Sequence, residues 1–322
     1  MPPQKIVVLG TGGTIAGTAS RPGDHTGYTA AQLGVAQLLQ ALPSLEGVAL
    51  EAEQVAQVDS KDMDFATWQR LAARCAHWLA QPGVQGVVVT HGTDTLEETA
   101  WFLQRVLSPA KPLVLACAMR PANALSPDGP QNLADALAVA RTPGARGVVA
   151  VCAGRIHGPM EVAKVHPYRL DAFDSGEAGP LGLVEEGAVR LLRDWPAAGD
   201  PQAPARARAV AGTDPARWPR VEIVLNHAGA DGRLVEALRT QGIDGLVVAG
   251  TGNGTVSGGL EQALLDAQAH GVAVVRSTRC ALGRVVGAAE KPLPQASTVT
   301  PVKARVSLLL DLMVARVPQG DT

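Results

Sequence analysis

The sequence predicts an α/β protein with a larger N-terminal domain, built on a mostly parallel sheet with flanking helices, and a smaller C-terminal α/β domain. Apolar stretches of strand length alternate with amphipathic stretches of helix length along most of the chain. The alternation stops between residues 193 and 219, where prolines and alanines are mixed with scattered charges. We therefore expect an N-terminal domain over 1–192, a Pro/Ala-rich linker over 193–219 and a C-terminal domain over 220–322.

The elements of the N-terminal domain follow one another as strands and helices. The helix predicted over 64–80 carries its apolar side chains on one stripe, namely Phe65, Trp68, Leu71, Cys75 and Leu79. The strands are short runs rich in valine, leucine and alanine, as expected for a sheet buried on both faces. In chain order we predict strands at 6–9, 48–58, 87–89, 112–116 and 147–151, with helices at 64–80, 97–107 and 131–141.

The C-terminal domain repeats the same alternation on a smaller scale. Predicted strands lie at 221–225, 245–249 and 272–275, and predicted helices lie at 234–239, 260–270 and 303–316. Between the two regular regions, residues 154–189 show less helical periodicity. Both domains are long enough to bury a core, because the 322 residues are 46% hydrophobic.

One stretch, VVVTHGTDTLEETAWFL over residues 87–103, runs from a buried strand through a polar loop into an amphipathic helix. Open α/β sheets bind ligands at the carboxyl ends of their strands, so this loop is a candidate site. Asp94 or Thr95 can cap the helix, and Thr95 with Glu98 fits a capping box. Capping alone explains such residues in most proteins, so this stretch needs support from a second one.

The second stretch is VLGTGGTIAG over residues 8–17, where another strand ends in glycines and threonines. It is not a phosphate-binding P-loop, which ends in Gly-Lys-Ser/Thr, and it lacks the third glycine of the dinucleotide fingerprint, where Ile15 stands. Glycines allow the backbone to approach a ligand closely. Two strand ends therefore each present a threonine beside glycine, and one of them adds a carboxylate.

Together these stretches resemble the paired signature of the bacterial-type asparaginase and glutaminase amidohydrolases, and the resemblance extends from about Lys5 to the C-terminal helix. It implies a threonine nucleophile in the first loop, assisted by a tyrosine and a glutamate, and a second cluster of threonine, aspartate and lysine. In this sequence the implied catalytic residues are Thr14, Tyr28, Glu290, Thr93, Asp94 and Lys164.

The resemblance also implies how the substrate is held. Ser60 is expected to help bind the α-carboxylate, and Asn253 with Glu290 is expected to reach the site of a neighbouring subunit. The expected assembly is therefore a homotetramer built as a dimer of tight dimers. The full set of expected substrate-binding residues is Ser60, Asp59, Thr93, Asp94, Asn253 and Glu290.

Two positions depart from the family pattern. Lys61 stands where asparagine-selective members often have glutamine or another short polar residue that accepts the substrate α-ammonium, and an ammonium cannot accept a hydrogen bond. Either Lys61 turns away, with Asp59 as a local partner, or substrate preference and affinity are altered. Ala163 replaces a hydroxyl residue that is common just before the family lysine, here Lys164.

Composition and the remaining motifs exclude several classes. With 28 basic and 30 acidic side chains, the chain has no basic block typical of nucleic-acid binding, and no apolar run approaches a membrane span. No histidine or cysteine spacing indicates a metal, and we expect no cofactor. His91 is expected to pack or hydrogen-bond rather than act as the base. The four cysteines lie in apolar settings and suggest buried thiols in a reducing compartment: Cys75, Cys117, Cys152 and Cys280.

The expected function is hydrolysis of L-asparagine to L-aspartate and ammonia, with weaker activity on L-glutamine. The alternatives are a glutaminase-preferring member of the family or an amino-acid-binding protein without turnover. A subunit that acts on charged tRNA would be expected to add an N-terminal domain and a basic face. A cytoplasmic location is expected because no secretory signal is visible, and a periplasmic one if a signal was removed.

Overall fold

The computed structural model describes residues 4–21, 23–24, 26–40, 49–287, 293 and 296–317. The chain forms two compact units, Met1–Pro204 and Ala205–Thr322. The boundary falls inside the stretch 193–219, and part of that stretch is a helix, α5 in the numbering below, rather than the irregular connection expected from its composition. Glu290 lies outside the described residues, as does Val48, the first residue of a predicted strand.

The N-terminal unit contains one large sheet, two short hairpins and four helices within its described residues. Its strands are β1 (Lys5–Gly12), β2 (Thr18–Ala19), β3 (Tyr28–Thr29), β4 (Ala49–Val58), β5 (Val84–Thr90), β6 (Pro112–Ala116), β7 (Gly147–Cys152), β8 (Arg155–His157), β9 (Ala163–Lys164), β10 (Phe173–Asp174), β11 (Gly182–Glu185) and β12 (Ala188–Leu191). Its helices are α1 (Val35–Gln40), α2 (Phe65–Leu79), α3 (Leu96–Leu107) and α4 (Gly129–Ala140).

The large sheet has the strand order β12-β11-β8-β7-β6-β5-β1-β4. Five neighbouring strands, β4, β1, β5, β6 and β7, run parallel to one another, and β8, β11 and β12 add an antiparallel edge. The central strands are buried along almost their whole length, which is why their sequences are continuous apolar runs. The prediction of a mostly parallel sheet is confirmed.

Helix α2 illustrates how the apolar stripe produces the packing. Trp68, Leu71 and Cys75 are buried, whereas Phe65 and Leu79 at the two ends are only half-buried. The Trp68 ring stacks on Phe102 of α3 with 4.7 Å between the ring centroids. The Trp68 indole N–H donates to the Thr99 hydroxyl at 2.9 Å, so its buried polar group is satisfied. The helix that follows β5 is thereby fixed against its neighbour.

Strand β1 lies between β4 and β5 in the sheet. The chain therefore adds β4 on one side of β1 and β5 on the other. Such a reversal of strand order opens a crevice at the carboxyl ends of the strands, where α/β proteins bind ligands. The Thr11 hydroxyl joins two of these ends by donating to the Thr90 carbonyl oxygen at 2.8 Å. The loops that follow β1, β4 and β5 therefore meet at one point, and they contain most of the predicted site.

The C-terminal unit has a parallel three-stranded sheet of β13 (Val221–Leu225), β14 (Gly245–Gly250) and β15 (Ala273–Thr278), with β14 in the centre. Its helices are α5 (Ala203–Gly212), which begins just before the boundary, α6 (Arg233–Thr240), α7 (Gly258–Ala269) and α8 (Pro301–Arg316). Within the described ranges, no helix has the length and apolar character needed to span a membrane.

The cysteines are free thiols, and three of them are buried as predicted: Cys75, Cys117 and Cys152. The prediction is wrong for Cys280, which is exposed. It lies two residues after the end of β15, and its thiol approaches the Gly252 carbonyl oxygen at 3.7 Å. The apolar residues before Cys280 belong to a strand that has already ended, so they do not cover it.

Candidate active site

The two glycine-threonine loops touch through backbone alone. Gly12 and Gly13 have φ angles of +103° and +81°, which L side chains rarely adopt. A Cβ atom on Gly13 would lie 2.3 Å from the Cα atom of Gly92, and one on Gly92 would lie 2.4 Å from the Ser60 hydroxyl oxygen. Glycine is required at both positions because any side chain would separate the loops that carry Thr14 and Thr93.

Thr14 begins a single 3-10 turn at the end of β1 and is buried. Its hydroxyl lies 2.7 Å from the Tyr28 hydroxyl, and either oxygen can be the donor. Tyr28 reaches it from the antiparallel hairpin of β2 and β3, and a Cβ on Gly17 would lie only 3.0 Å from the tyrosine ring. The sequence-predicted pair of Thr14 and Tyr28 is thus brought together.

Thr93, Asp94 and Lys164 form the second polar cluster. The Lys164 ammonium donates to the Thr93 hydroxyl at 2.8 Å and to the Asp94 carboxylate at 2.5 Å. The Lys164 side chain is only 18% exposed, whereas that of Asp94 is 51% exposed and faces solvent on one side. The backbone N–H of Lys164 donates to the Glu97 carboxylate at 3.2 Å, so α3 helps to hold the lysine.

Ser60 connects the β4 loop to this second cluster. Its buried hydroxyl accepts from the backbone N–H of Asp94 at 3.1 Å. Its carbonyl oxygen accepts from the Thr95 hydroxyl at 2.8 Å. Thr95 is the N-cap residue of α3 but makes no side-chain cap bond, so the predicted capping box with Glu98 is wrong. The reason is that the Thr95 hydroxyl is used as a donor between two loops.

Lys61 turns toward its neighbours in sequence. Its ammonium lies 2.7 Å from Asp59 and 3.1 Å from Asp62, and its side chain is 61% exposed. These hydrogen bonds, the one to Asp59 first, raise the pKa of Lys61. Asp59 also accepts the backbone N–H of Lys61 and so caps a short 3-10 turn over 60–62. Of the two arrangements left open by the sequence, the structure has the one in which Asp59 binds Lys61.

His91 lies inside the THGTDT stretch and is completely buried. Its Nδ1–H donates to the Gly92 carbonyl oxygen at 2.7 Å, while its Nε2 atom has no hydrogen-bond partner among the residues that the structure describes. Burial lowers the pKa of His91 to about 4, despite the hydrogen bond to Gly92. The imidazole is therefore neutral near pH 7 and supports the loop.

A loop at 119–128 borders the Tyr28 hairpin, and its first residues, Met119-Arg120-Pro121, resemble the family, with a structural role expected for Arg120. The Asp128 carboxylate accepts the backbone N–H groups of Met119 and Arg120, both at 2.9 Å. Asn123 contacts Ala19 of β2 with both atoms of its amide. Asn123 is the residue here that the sequence did not indicate. The loop follows β6, the strand next to β5, so its position at the same sheet edge is the signal that could point to Asn123.

Asn253 belongs to the C-terminal unit, where it occupies an exposed turn between Gly252 and Gly254. Its amide donates to the Val286 carbonyl oxygen at 2.9 Å and accepts the Val286 backbone N–H at 2.8 Å. The buried Arg276 supports the same turn by donating to the Gly254 carbonyl oxygen at 2.7 Å. The predicted turn is present, and a contact of Asn253 with substrate stays a prediction.

The N-terminal unit thus gathers six of the predicted residues around the carboxyl ends of β1, β4 and β5: Thr14, Tyr28, Ser60, Thr93, Asp94 and Lys164. Two threonine hydroxyls each have a polar partner, a phenol for one and an ammonium for the other. Such an arrangement suits attack by a hydroxyl on an acyl carbon followed by hydrolysis. Across the described part of the chain, no group of three histidine, cysteine or acidic residues could hold a metal ion.

Comparisons with known proteins cover almost the whole chain. The family described as "Asparaginase, N-terminal" matches residues 5–197, and "Glutaminase/Asparaginase C-terminal domain" matches residues 220–317. L-asparaginase 2 of Bacillus subtilis is 37% identical over 98% of this chain and 84% of its own length. Glutaminase-asparaginase of Pseudomonas fluorescens is 35% identical over 95% of this chain and 86% of its own length.

Solved structures agree with the sequence comparisons. The crystal structure of a probable cytoplasmic L-asparaginase from Campylobacter jejuni superposes with a TM-score of 0.89 at 35% sequence identity. The match covers 96% of this chain and 95% of the other. The chain therefore belongs to the asparaginase family.

Proposed function

We propose that the protein hydrolyses the side-chain amide of L-asparagine to give L-aspartate and ammonia, with weaker activity on L-glutamine. The observation that carries this proposal is the pairing of two buried threonine hydroxyls with different polar partners, Tyr28 for Thr14 and Lys164 for Thr93, on loops in backbone contact. The names of the relatives support the substrate class, since they are L-asparaginases and glutaminase-asparaginases.

In the first half-reaction a threonine oxygen attacks the amide carbon. A threonine hydroxyl is a weak nucleophile at neutral pH and needs a base within hydrogen-bond reach. For Thr14 that partner is the Tyr28 oxygen at 2.7 Å, through which the proton can pass to the leaving amide nitrogen. The resemblance gives Glu290 the role of polarising Tyr28. The Lys164 ammonium, 2.8 Å from the Thr93 hydroxyl, cannot take up a proton, but its positive charge can stabilise negative charge on the Thr93 oxygen, so the proposal leaves open which threonine carries the acyl group.

The attack produces a negative charge on the former amide oxygen. Backbone N–H groups of the two loops, those of Thr14 and Thr93, are the proposed donors to this oxyanion, and one such donor is worth roughly 3 kcal/mol. Collapse of the tetrahedral intermediate breaks the C–N bond and releases ammonia. A water molecule positioned by Thr93 and Lys164 then attacks the ester: its oxygen bonds to the acyl carbon, the ester C–O bond breaks, and its proton passes to the threonine oxygen as aspartate leaves.

The substrate α-groups would be held by the second cluster. Ser60 already accepts the Asp94 N–H, so its own hydroxyl hydrogen can donate to the α-carboxylate. One Asp94 oxygen binds Lys164 and the exposed face of the carboxylate can accept the α-ammonium. Asp59 is bound to Lys61, so its proposed contact with substrate requires an oxygen that this pair leaves accessible.

A homotetramer built from tight dimers belongs to the same proposal, with Asn253 and Glu290 completing the site of a neighbouring subunit. Sedimentation of an active monomer at assay concentration would contradict this assembly. A cytoplasmic location is proposed from the three buried free thiols, which suit a reducing compartment.

The proposal is tested by measuring ammonia release from asparagine and glutamine under the same conditions. Because the two substrates differ by one methylene, a pocket is expected to separate them by only about 1–3 kcal/mol. We expect turnover of both, with a larger kcat/KM for asparagine. Binding of asparagine without ammonia release would instead indicate an amino-acid-binding protein, and a larger kcat/KM for glutamine would indicate a glutaminase.

A further inference from the structure

The hairpin that carries Tyr28 is small, and its two arms are held by different parts of the protein. The descending arm is the one that contains Tyr28. The residues that follow it are held by backbone hydrogen bonds, from the Ala31 N–H to the Gly13 carbonyl oxygen at 3.1 Å and from the Gln32 N–H to the Ala16 carbonyl oxygen at 2.6 Å. The ascending arm, Gly17–Ala19, is instead held by the 119–128 loop. Two-stranded hairpins are only marginally stable without further support, so the contacts of the ascending arm matter for the position of Tyr28.

Asn123 makes two of these contacts. Its side-chain oxygen accepts the Ala19 backbone N–H at 2.8 Å, and its side-chain NH₂ donates to the Ala19 carbonyl oxygen at 2.7 Å. A third bond runs from the Ala122 N–H to the Gly17 carbonyl oxygen at 2.8 Å. In a strand, the N–H and C=O of one residue point to the same side. The Asn123 amide therefore pairs with the free edge of β2 as a third strand would.

Asn123 can act in this way because its own loop is anchored. The Asp128 carboxylate binds the two backbone N–H groups that open the loop, and the Arg120 guanidinium donates to the Ser126 carbonyl oxygen at 3.0 Å. Asn132 of α4 donates to both the Cys117 carbonyl oxygen and Asp128. The 119–128 loop is thus tied to β6 and α4, and it offers Asn123 a fixed position from which to bind the hairpin.

One residue, Ala19, connects Asn123 to the strand that contains Tyr28. Ala19 is the residue that faces Tyr28 in the register of β2 and β3, and the Tyr28 hydroxyl lies 2.7 Å from the Thr14 hydroxyl. We propose that Asn123 is a positioning residue that holds the ascending arm of the hairpin and so keeps the Tyr28 hydroxyl on Thr14. This inference deepens the proposed function, because it assigns a role in aligning the same two hydroxyls.

The experiment compares Asn123→Ala with wild type in two measurements. Hydrogen exchange over residues 17–29 is expected to become roughly 5- to 30-fold faster, because two hydrogen bonds of ordinary net strength are lost. The kcat for asparagine is also expected to fall, by at most roughly 30-fold. Asn123→Asp keeps the acceptor for Ala19 N–H but cannot donate to the Ala19 carbonyl oxygen, so it is also expected to loosen the hairpin.

Two comparisons separate positioning from a general structural effect. Leu125→Ala is the matched control, because Leu125 lies in the same loop and is 82% exposed, and it should leave exchange and kcat unchanged. In a Tyr28→Phe background, Asn123→Ala should cost nothing further in kcat if it acts through the tyrosine hydroxyl. An equal loss in both backgrounds, or unchanged exchange in Asn123→Ala, would overturn the proposal. If wild type releases no ammonia, the proposed function fails, while the exchange comparison still decides whether Asn123 holds the hairpin.

Discussion

The buried His91 provides a quantitative test of how this site is supported. Its side chain has no exposure to solvent, and burial lowers its pKa to about 4. In the unfolded chain a histidine has a pKa of about 6.5. Between these two values the unfolded state binds a proton that the folded state does not, so stability falls as the pH is lowered through this window. The difference corresponds to about 3 kcal/mol lost by pH 4.

The perturbation is His91→Asn, which keeps a side-chain N–H near the position of the Nδ1–H that donates to Gly92. The variant loses packing at every pH, but it has no group that titrates between pH 7 and 4. The stability difference between wild type and variant should therefore shrink by about 3 kcal/mol as the pH falls from 7 to 4. Urea unfolding of both proteins at a series of pH values measures this difference.

A constant stability difference over the whole pH range would refute the reasoning, because it would mean that His91 is charged or hydrated in the folded state. Activity gives a second check. If His91 only supports the loop, His91→Asn should keep kcat within about tenfold of wild type, since removal of a general base typically costs 10²–10⁴-fold. A loss in that larger range, in a protein that is still folded, would make His91 part of the chemistry.

Three further predictions concern other positions. Thr14→Ala and Thr93→Val should each lower kcat by orders of magnitude with folding and assembly intact, because each removes a hydroxyl from a buried pair; steady-state rates within a few-fold of wild type would remove that threonine from the mechanism. Lys61→Gln should change KM for asparagine by less than about twofold, because the ammonium is bound to Asp59; a clear fall in KM would show that Lys61 repels the substrate. Burial raises the pKa of Asp135, so the folded protein loses stability as the pH rises through that raised pKa and the buried carboxyl group becomes charged. Asp135→Asn removes this charge, so the variant should unfold at a higher temperature than wild type at pH 7 but not at pH 3.

The sheet and the two threonine loops could be predicted because they depend on rules that act locally. Runs such as Val87–Val89 form buried parallel strands, and the carboxyl ends of parallel strands meet at one edge. These rules place Thr14 and Thr93 at the same crevice. The resemblance to a known family added Tyr28 and Lys164, which the loop patterns alone would not have separated from ordinary surface residues.

The rest depends on where hydroxyls and amides point, which sequence patterns do not specify. Thr95 has the residue type and position of a helix cap, yet its hydroxyl donates to Ser60, which lies 35 residues earlier. Asn123 looks like a turn residue in a loop with two prolines, and its partner Ala19 is 104 residues away. The direction of Lys61 was open for the same reason, since both a local carboxylate and the crevice lay within reach of a flexible chain.

The backbone contact between Gly13 and Gly92 also bears on the order of events in folding. The strands that present these glycines are joined by the Thr11–Thr90 bond across 79 residues, so the contact has a high sequence separation. Closing such a long loop costs entropy before any stabilisation is gained, and contacts of this kind slow folding. The two threonines cannot approach until β1 and β5 have paired. Recovery of activity after dilution from denaturant should therefore lag behind the recovery of helical circular dichroism.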